Sequence, residues 1–182
     1  MYGVAVDTET TGLEAGVHEI VSICLIIHDE NFNEVSRFTS TIRPMHPILI
    51  EDDALQVNGF TRKEVKDFPT PMEVKNNLLE WFEPFRGDKG LIPLGHNFSF
   101  DKGFLQIFFG DFYNDLFYYK FRDTFCVAQA LKDAGLIDPP SLSLVKLTEH
   151  FGIPHIEHDA FSDTWATLKL YQKLINIIKE SR

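Results

Sequence analysis

Three acidic clusters hold the residue types that hydrolysis of a charged ester needs. The first is Asp7-Thr-Glu9-Thr-Thr-Gly12-Leu13. On an extended strand, residues two apart project from one face, so both carboxylates point together. Carboxylates crowded in this way repel unless a hard cation sits between them. The pair is a weak signal by itself, because 14 Asp and 13 Glu placed at random yield about one Asp-x-Glu in this chain. The second cluster is Gly95-His96-Asn97-Phe98-Ser99-Phe100-Asp101. A helix opening near Asn97 puts Asn97 and Asp101 on one face, a turn apart. An acid in a first turn is also what the helix dipole favours in plain solvent. The third is His158-Asp159-Ala160-Phe161-Ser162-Asp163. Five helical steps turn about 140°, so His158 must sit just before a helix and reach round to act with Asp163. His150, His155 and His158 match no closed zinc site. No glycine-rich phosphate cradle is present either, since His96 and Asn97 follow Gly95 where Lys and Ser or Thr would be needed.

The elements around these clusters are legible as a mixed α/β pattern. Val4-Ala5-Val6 reads as a short buried strand that stops at Asp7. Glu19 to His28 is apolar on both faces, as a central strand covered on each side would be. Val35 to Ile42 alternates better and reads as a third strand. The short spacers between these runs predict antiparallel neighbours. Thr61-Arg-Lys-Glu64 and Thr70-Pro71-Met-Glu73 both match the helix capping box. Leu91 to Leu94 reads as a fourth strand weakened by Pro93. Phe100, Phe104 and Phe108 form one helical stripe, and helices are expected over Thr124 to Leu131 and Leu142 to Phe151. Trp165, Leu168, Tyr171, Ile175 and Ile178 mark a long last helix.

Composition narrows the class. The 182 residues suit one domain, 1–182. Lys and Arg number 17 against 27 Asp and Glu, a net charge of −10, which disfavours a protein that grips long stretches of nucleic acid. Two cysteines make no disulfide framework, so a reducing, cytoplasmic setting is expected. Asp7 and Glu9 stand where a signal peptide needs a basic start and an apolar run. No apolar run approaches membrane-spanning length, and no membrane is expected.

Together and in this order, the clusters resemble the DEDDh family of 3′→5′ exonucleases. The first cluster, with its apolar strand and Thr-Gly-Leu, is similar to the proofreading ε type of bacterial replicative DNA polymerase. The resemblance spans residues 2 to 171 and takes in Asp53-Ala-Leu-Gln-Val-Asn-Gly59-Phe-Thr, Asp123-Thr124 and Leu147 to Ile153. It implies an α/β, RNase H-like exonuclease fold, a mixed central sheet flanked by helices with the first strand in the middle. It maps the four acids onto Asp7, Glu9, Asp101 and Asp163, and the histidine onto His158. The family often has His-Gly where this chain has Asn58-Gly59, which alters one substrate contact. The chain also ends soon after its last helix, so the expectation does not extend to membership in a polymerase complex.

The chemistry so implied is two-metal hydrolysis at a 3′ end, releasing 5′-nucleoside monophosphates. Two Mg²⁺ or Mn²⁺ ions about 3.5–4 Å apart serve the attacking and leaving oxygens. Asp7, Glu9 and Asp163 are expected at the first ion, Asp7 bridging to the second, and Asp101 supporting the second. His158 is the expected base, since imidazole titrates closest to neutral pH. Substrate contacts are expected from Thr10, Thr11, Gly12, Leu13, Asp53, Asn58 and Asn97, with Phe98 stacking on a base. Single-stranded or frayed DNA is the expected substrate, and an RNA-directed enzyme of the same family is the alternative. A non-catalytic nucleic-acid-binding module would have lost one of the five residues, and all five are present. Residues 98 to 125 hold nine Phe and three Tyr, more than stacking requires. Most should be core, and any exposed remainder suggests a surface for a polymerase or for a second copy in a homodimer.

Overall fold

The computed structural model describes residues 2–181. Its sheet has the order β3-β2-β1-β4-β5, with β1 (Gly3–Thr10) in the middle. β2 (Ile20–His28) and β3 (Glu34–Thr41) extend antiparallel on one side. β4 (Ile92–Gly95) and the two-residue β5 (Arg122–Asp123) run parallel on the other. All nine residues of β2 are buried, which explains its unbroken apolar composition. β1 does not stop at Asp7 as its apolar run suggested. It continues to Thr10, with a register shift between Glu9 and Thr10 that re-aims the backbone.

Pro93 is accommodated inside the sheet because β5 is short. Leu91 bridges Phe117, and β5 then rejoins β4 only at Leu94 and Gly95. Pro93 keeps its pairing with Val4 of β1, and its missing N–H falls on the β5 side, where the ladder has a gap.

Seven α-helices cover the sheet among the described residues: α1 (Asp52–Val57), α2 (Pro71–Phe82), α3 (Ser99–Phe109), α4 (Tyr113–Leu116), α5 (Thr124–Asp133), α6 (Leu144–Phe151) and α7 (Ala160–Glu180). Val4, Val6, Ile23 and Leu25 face α2 and α3 through Leu78, Phe82, Phe104 and Leu105. Ala5, Cys24, Ile26 and Leu94 face α7 through Ala160, Leu168 and Tyr171. The expected RNase H-like arrangement is thus present, a mixed sheet with helices on both faces. The Thr70 capping box is complete and opens α2. The Thr61–Glu64 box also forms its reciprocal bonds, yet only a 3₁₀ turn, Glu64–Asp67, follows. Phe68 leaves that turn extended, with Pro69 after it, so no helix could propagate. No helix among the described residues is long and apolar enough to cross a membrane.

One carboxylate ties the C-terminal end of the sheet together. Asp123, at the end of β5, accepts from the amides of Asn97, Phe98 and Phe125 at 3.1, 2.9 and 2.9 Å. It caps α5 and holds the chain entering α3 with the same two oxygens. Asp123→Ala strands these donors, one of them fully buried, and should cost about 2–4 kcal/mol in urea unfolding. Asp123→Asn keeps one acceptor oxygen and should cost less.

Candidate active site

β1 aims two acids at α7. Ala5 packs beneath that helix, so Asp7 and Glu9, two and four residues later, face it too. α7 brings Asp163 in its first turn. One carboxylate oxygen from each of Asp7, Glu9 and Asp163 lies within 4.8 Å of the others. Asp101 arrives from α3, which packs on the opposite face. β4 ends at Gly95 while β1 runs on, leaving the Thr8 amide without a β4 partner. That amide donates to Asp101 Oδ1 at 2.9 Å, and the Thr8 hydroxyl donates to the same oxygen at 2.8 Å. Asp101 lies outside the three-acid set but close enough for its charge to act on Asp7. The four acids thus meet where β1 outruns β4, beyond the carboxyl ends of the parallel strands, where open α/β sheets place their ligand crevices.

His158 sits just before α7 with φ of 59°, a left-handed conformation that His tolerates better than most side chains. Asp159 then caps the helix, accepting from the Ser162 amide at 2.8 Å. His158 is exposed and lines a cleft of about 410 Å³ with Glu9, Thr10, Gly12, Leu13, Asp53, Asn58 and Phe100. Asn58 is fixed there by donating to the Thr10 carbonyl at 2.9 Å.

The acids resist ionisation together. Burial first, then the charges of Asp101, Asp163, Glu9 and Asp159, raise Asp7 well above the usual carboxylate range. Burial, Asp163 and Asp101 push Glu9 up to about 8. Burial takes Asp101 to about 7 against the opposing bonds from Thr8. Asp163 is raised by burial, with His155 pulling the other way. Carboxylate oxygens alone, buried and mutually repelling, fit a hard divalent cation and suit no soft metal.

Three expected substrate contacts are placed otherwise. Phe98 is fully buried in the core beneath α2 and α3, so its ring cannot stack on a base. Asn97 is exposed and left-handed at φ 58°, and α3 begins only at Ser99, so Asn97 and Asp101 share no helix face. The Asp123 clamp on the amides of Asn97 and Phe98 delays the helix and turns the Phe98 ring inward. Thr11 is 1% exposed, its amide bonded to the Glu19 carbonyl and its hydroxyl accepting from the Glu19 amide. It braces the loop and does not line the cleft.

Two residues escaped sequence reasoning. Phe100 is the aromatic of the second cluster that lines the cleft, and its position directly before Asp101 in the first helical turn was the available signal. His155 bonds through Nε2 to Asp163 Oδ1, with its side chain only 5% exposed. The Thr148 hydroxyl donates to the Val145 carbonyl, so Thr148 accepts from His155 Nδ1 at 3.1 Å. The imidazole is oriented at both nitrogens and steadies Asp163. No spacing rule links residues 155 and 163.

The pH dependence has a definite sign. Groups whose native pKa is raised bind protons in the folded state that the unfolded chain has already lost. Stability without divalent ions should therefore fall as pH rises from about 4.5 to about 8, the window set by Glu9. Calorimetry in EDTA should show a falling Tm across that range. Asp7→Asn removes a repelling charge and should flatten the fall.

Comparison with known proteins agrees with this geometry. The exonuclease family matches residues 4–171. The DNA polymerase III subunit epsilon of Treponema pallidum is 27% identical over 172 residues, covering 94% of this chain and 75% of that protein. The PolC-type DNA polymerase III of Bacillus subtilis is 31% identical over 106 residues, 57% of this chain and 7% of that one. Escherichia coli Exonuclease I in complex with a dT13 oligonucleotide superposes at a TM-score of 0.83 with 20% identity, over 98% of this chain and 42% of that chain. That likeness speaks for the fold alone. The chain thus spans three quarters of the epsilon relative, under half of Exonuclease I and a small part of the PolC-type protein. With a family match across residues 4–171 and the acids gathered at the end of β1, the chain belongs to the exonuclease family, in its DEDDh type of 3′→5′ enzymes.

Proposed function

We propose that residues 1–182 act as one exonuclease domain that removes nucleotides from the 3′ ends of single-stranded or frayed DNA, releasing 5′-nucleoside monophosphates. The observation that carries this reading is the gathering of Asp7, Glu9 and Asp163 beside a cleft whose lining Glu9 shares with the exposed His158 imidazole. The cleft volume lies in the range of small-molecule sites, enough for a terminal nucleotide but not a duplex. Similarity to DNA polymerase III subunits supports DNA as the substrate.

Asp7, Glu9 and Asp163 would hold one Mg²⁺ or Mn²⁺, and Asp7 with Asp101 a second. Such ions, when bound, polarise the phosphate and stabilise charge on the attacking and leaving oxygens. The protein's own groups do the rest. His158, exposed at the cleft, takes the proton of the attacking water. Leu13 and Phe100 offer apolar walls to the terminal nucleoside, while Asn58 keeps the Thr10 carbonyl in place. His155 holds Asp163 through one carboxylate oxygen, Oδ1, which fixes the carboxylate beside Asp7 and Glu9. The two free cysteines, Cys24 buried and Cys126 exposed, accord with a reducing cytoplasmic setting.

Digestion of end-labelled single-stranded DNA, mismatched duplex and RNA with Mg²⁺ or Mn²⁺ tests the reading. Mononucleotides released from the 3′ end, fastest from the single-stranded DNA, are expected. Asp7→Ala should abolish the activity, and full activity in EDTA would refute the proposal. His158→Ala should lower kcat by roughly 10²–10⁴ with metal affinity little changed in calorimetry. Loss of metal binding in that variant would make His158 a ligand.

A further inference from the structure

Residues 117–125 form a chemically distinct stretch outside the cleft. They hold five aromatics, two cations and one acid, in a chain where acids outnumber bases 27 to 17. The single acid is Asp123, which is buried and bonded to three amides. The exposed face of the stretch is therefore aromatic and cationic. Tyr119 is 67% exposed, Phe121 39% and Phe125 40%. Lys120 Nζ lies 5.5 Å from the Tyr119 ring centre, and Lys102 Nζ lies 5.7 Å from that of Phe121.

Two of these rings are held in place from beneath. Phe121 packs on the buried Phe98 with ring centres 5.3 Å apart, and Phe125 meets the His96 ring edge-on at 6.1 Å. The stretch follows β4 from the Leu91–Phe117 bridge to the Gly95–Asp123 pair. It ends where α3 begins, and Lys102 directly follows Asp101 of the acid cluster. Exposed rings with ammonium groups thus border the β5 edge, and Lys102 beside Phe121 joins them to the helix that carries Asp101.

Exposed rings flanked by cations match two needs of a single strand, a π-face for each base and positive charge near each phosphate. A protein partner would more commonly bring a ring-filled pocket and a charge-depleted centre. We propose that Tyr119, Phe121 and Phe125, with Lys102 and Lys120, form a stacking track for the nucleotides upstream of the one being removed. The track rests on the exonuclease reading above and adds where the rest of the strand lies.

The test separates the two readings by substrate length. The full chain is mixed with 5′-labelled dT2 and dT8 in Ca²⁺, and binding is followed by fluorescence anisotropy. The p-nitrophenyl ester of thymidine 5′-monophosphate, which reaches only the cleft, reports hydrolysis with Mn²⁺. The wild type should bind dT8 at least 10-fold tighter than dT2. Tyr119→Ala, Phe121→Leu and Phe125→Ala should each lose about 10-fold on dT8, with dT2 binding and ester hydrolysis unchanged. Phe121→Leu keeps the packing on Phe98, and Phe121→Tyr, which keeps the ring, should retain wild-type affinity. Lys102→Gln and Lys120→Gln should each reduce the salt slope of dT8 binding by about 0.7. Equal binding of dT2 and dT8 by the wild type, or an undiminished length effect in the variants, overturns the track while leaving the exonuclease reading intact. A wild-type dimer in sedimentation that the same variants break, with dT8 binding unchanged, assigns the surface to a second copy and also overturns it. Absence of ester hydrolysis and of any thymidylate binding overturns both readings.

Discussion

Mutual repulsion among buried carboxylates is the constraint around which this molecule is arranged. Asp7, Glu9, Asp101 and Asp163 come from one strand and two helices on opposite faces of the sheet, and each is driven toward its protonated form. Left to itself such a cluster would splay apart. It is held by interactions that act on each acid from the side away from the others. Thr8 grips Asp101, His155 grips Asp163, and the β1–β2 ladder fixes Asp7 and Glu9. The fold keeps negative charge concentrated in one place, so that a divalent cation is the favourable remedy.

The sheet makes this concentration possible through unequal strand lengths. β1 and β2 run the full depth of the domain, whereas β4 stops at Gly95. The resulting step frees the Thr8 amide to bond Asp101 and opens the cleft over Glu9 and Thr10. A β4 of equal length would have paired that amide and filled the opening. The short β5 plays a related part, since its end residue Asp123 organises the loop from which α3 departs.

Much of this was legible because it depends on local patterns. β2 announced itself by apolar residues on both faces, and the Thr70 box marked the start of α2 to the residue. The acids were legible through period-two spacing and their order along the chain. What sequence patterns could not supply were contacts between distant segments. Phe98 and Phe100 look equivalent in sequence, but the Asp123 clamp, some 25 residues away, decides which ring turns inward. His155 shares no helix or strand with Asp163, so nothing in the spacing joins them. The Thr61 box shows the converse: its local bonds form, and the chain beyond leaves for Pro69 before a helix can follow.

The left-handed turn at His158 has a mechanical consequence. The acids are braced by sheet ladders, helix packing and paired side chains, which makes that side of the cleft stiff. His158 stands instead in the segment 156–158, beyond the buried side chains of Ile153 and His155, where all three side chains are exposed. That segment is tethered by Ser162 Oγ, which accepts from the Ile156 amide. Sparse burial of this kind lets a segment yield at low energy. In the proposed reaction, small adjustments to nucleotides of different size therefore fall to the loop that carries the imidazole, while the anionic floor keeps its dimensions.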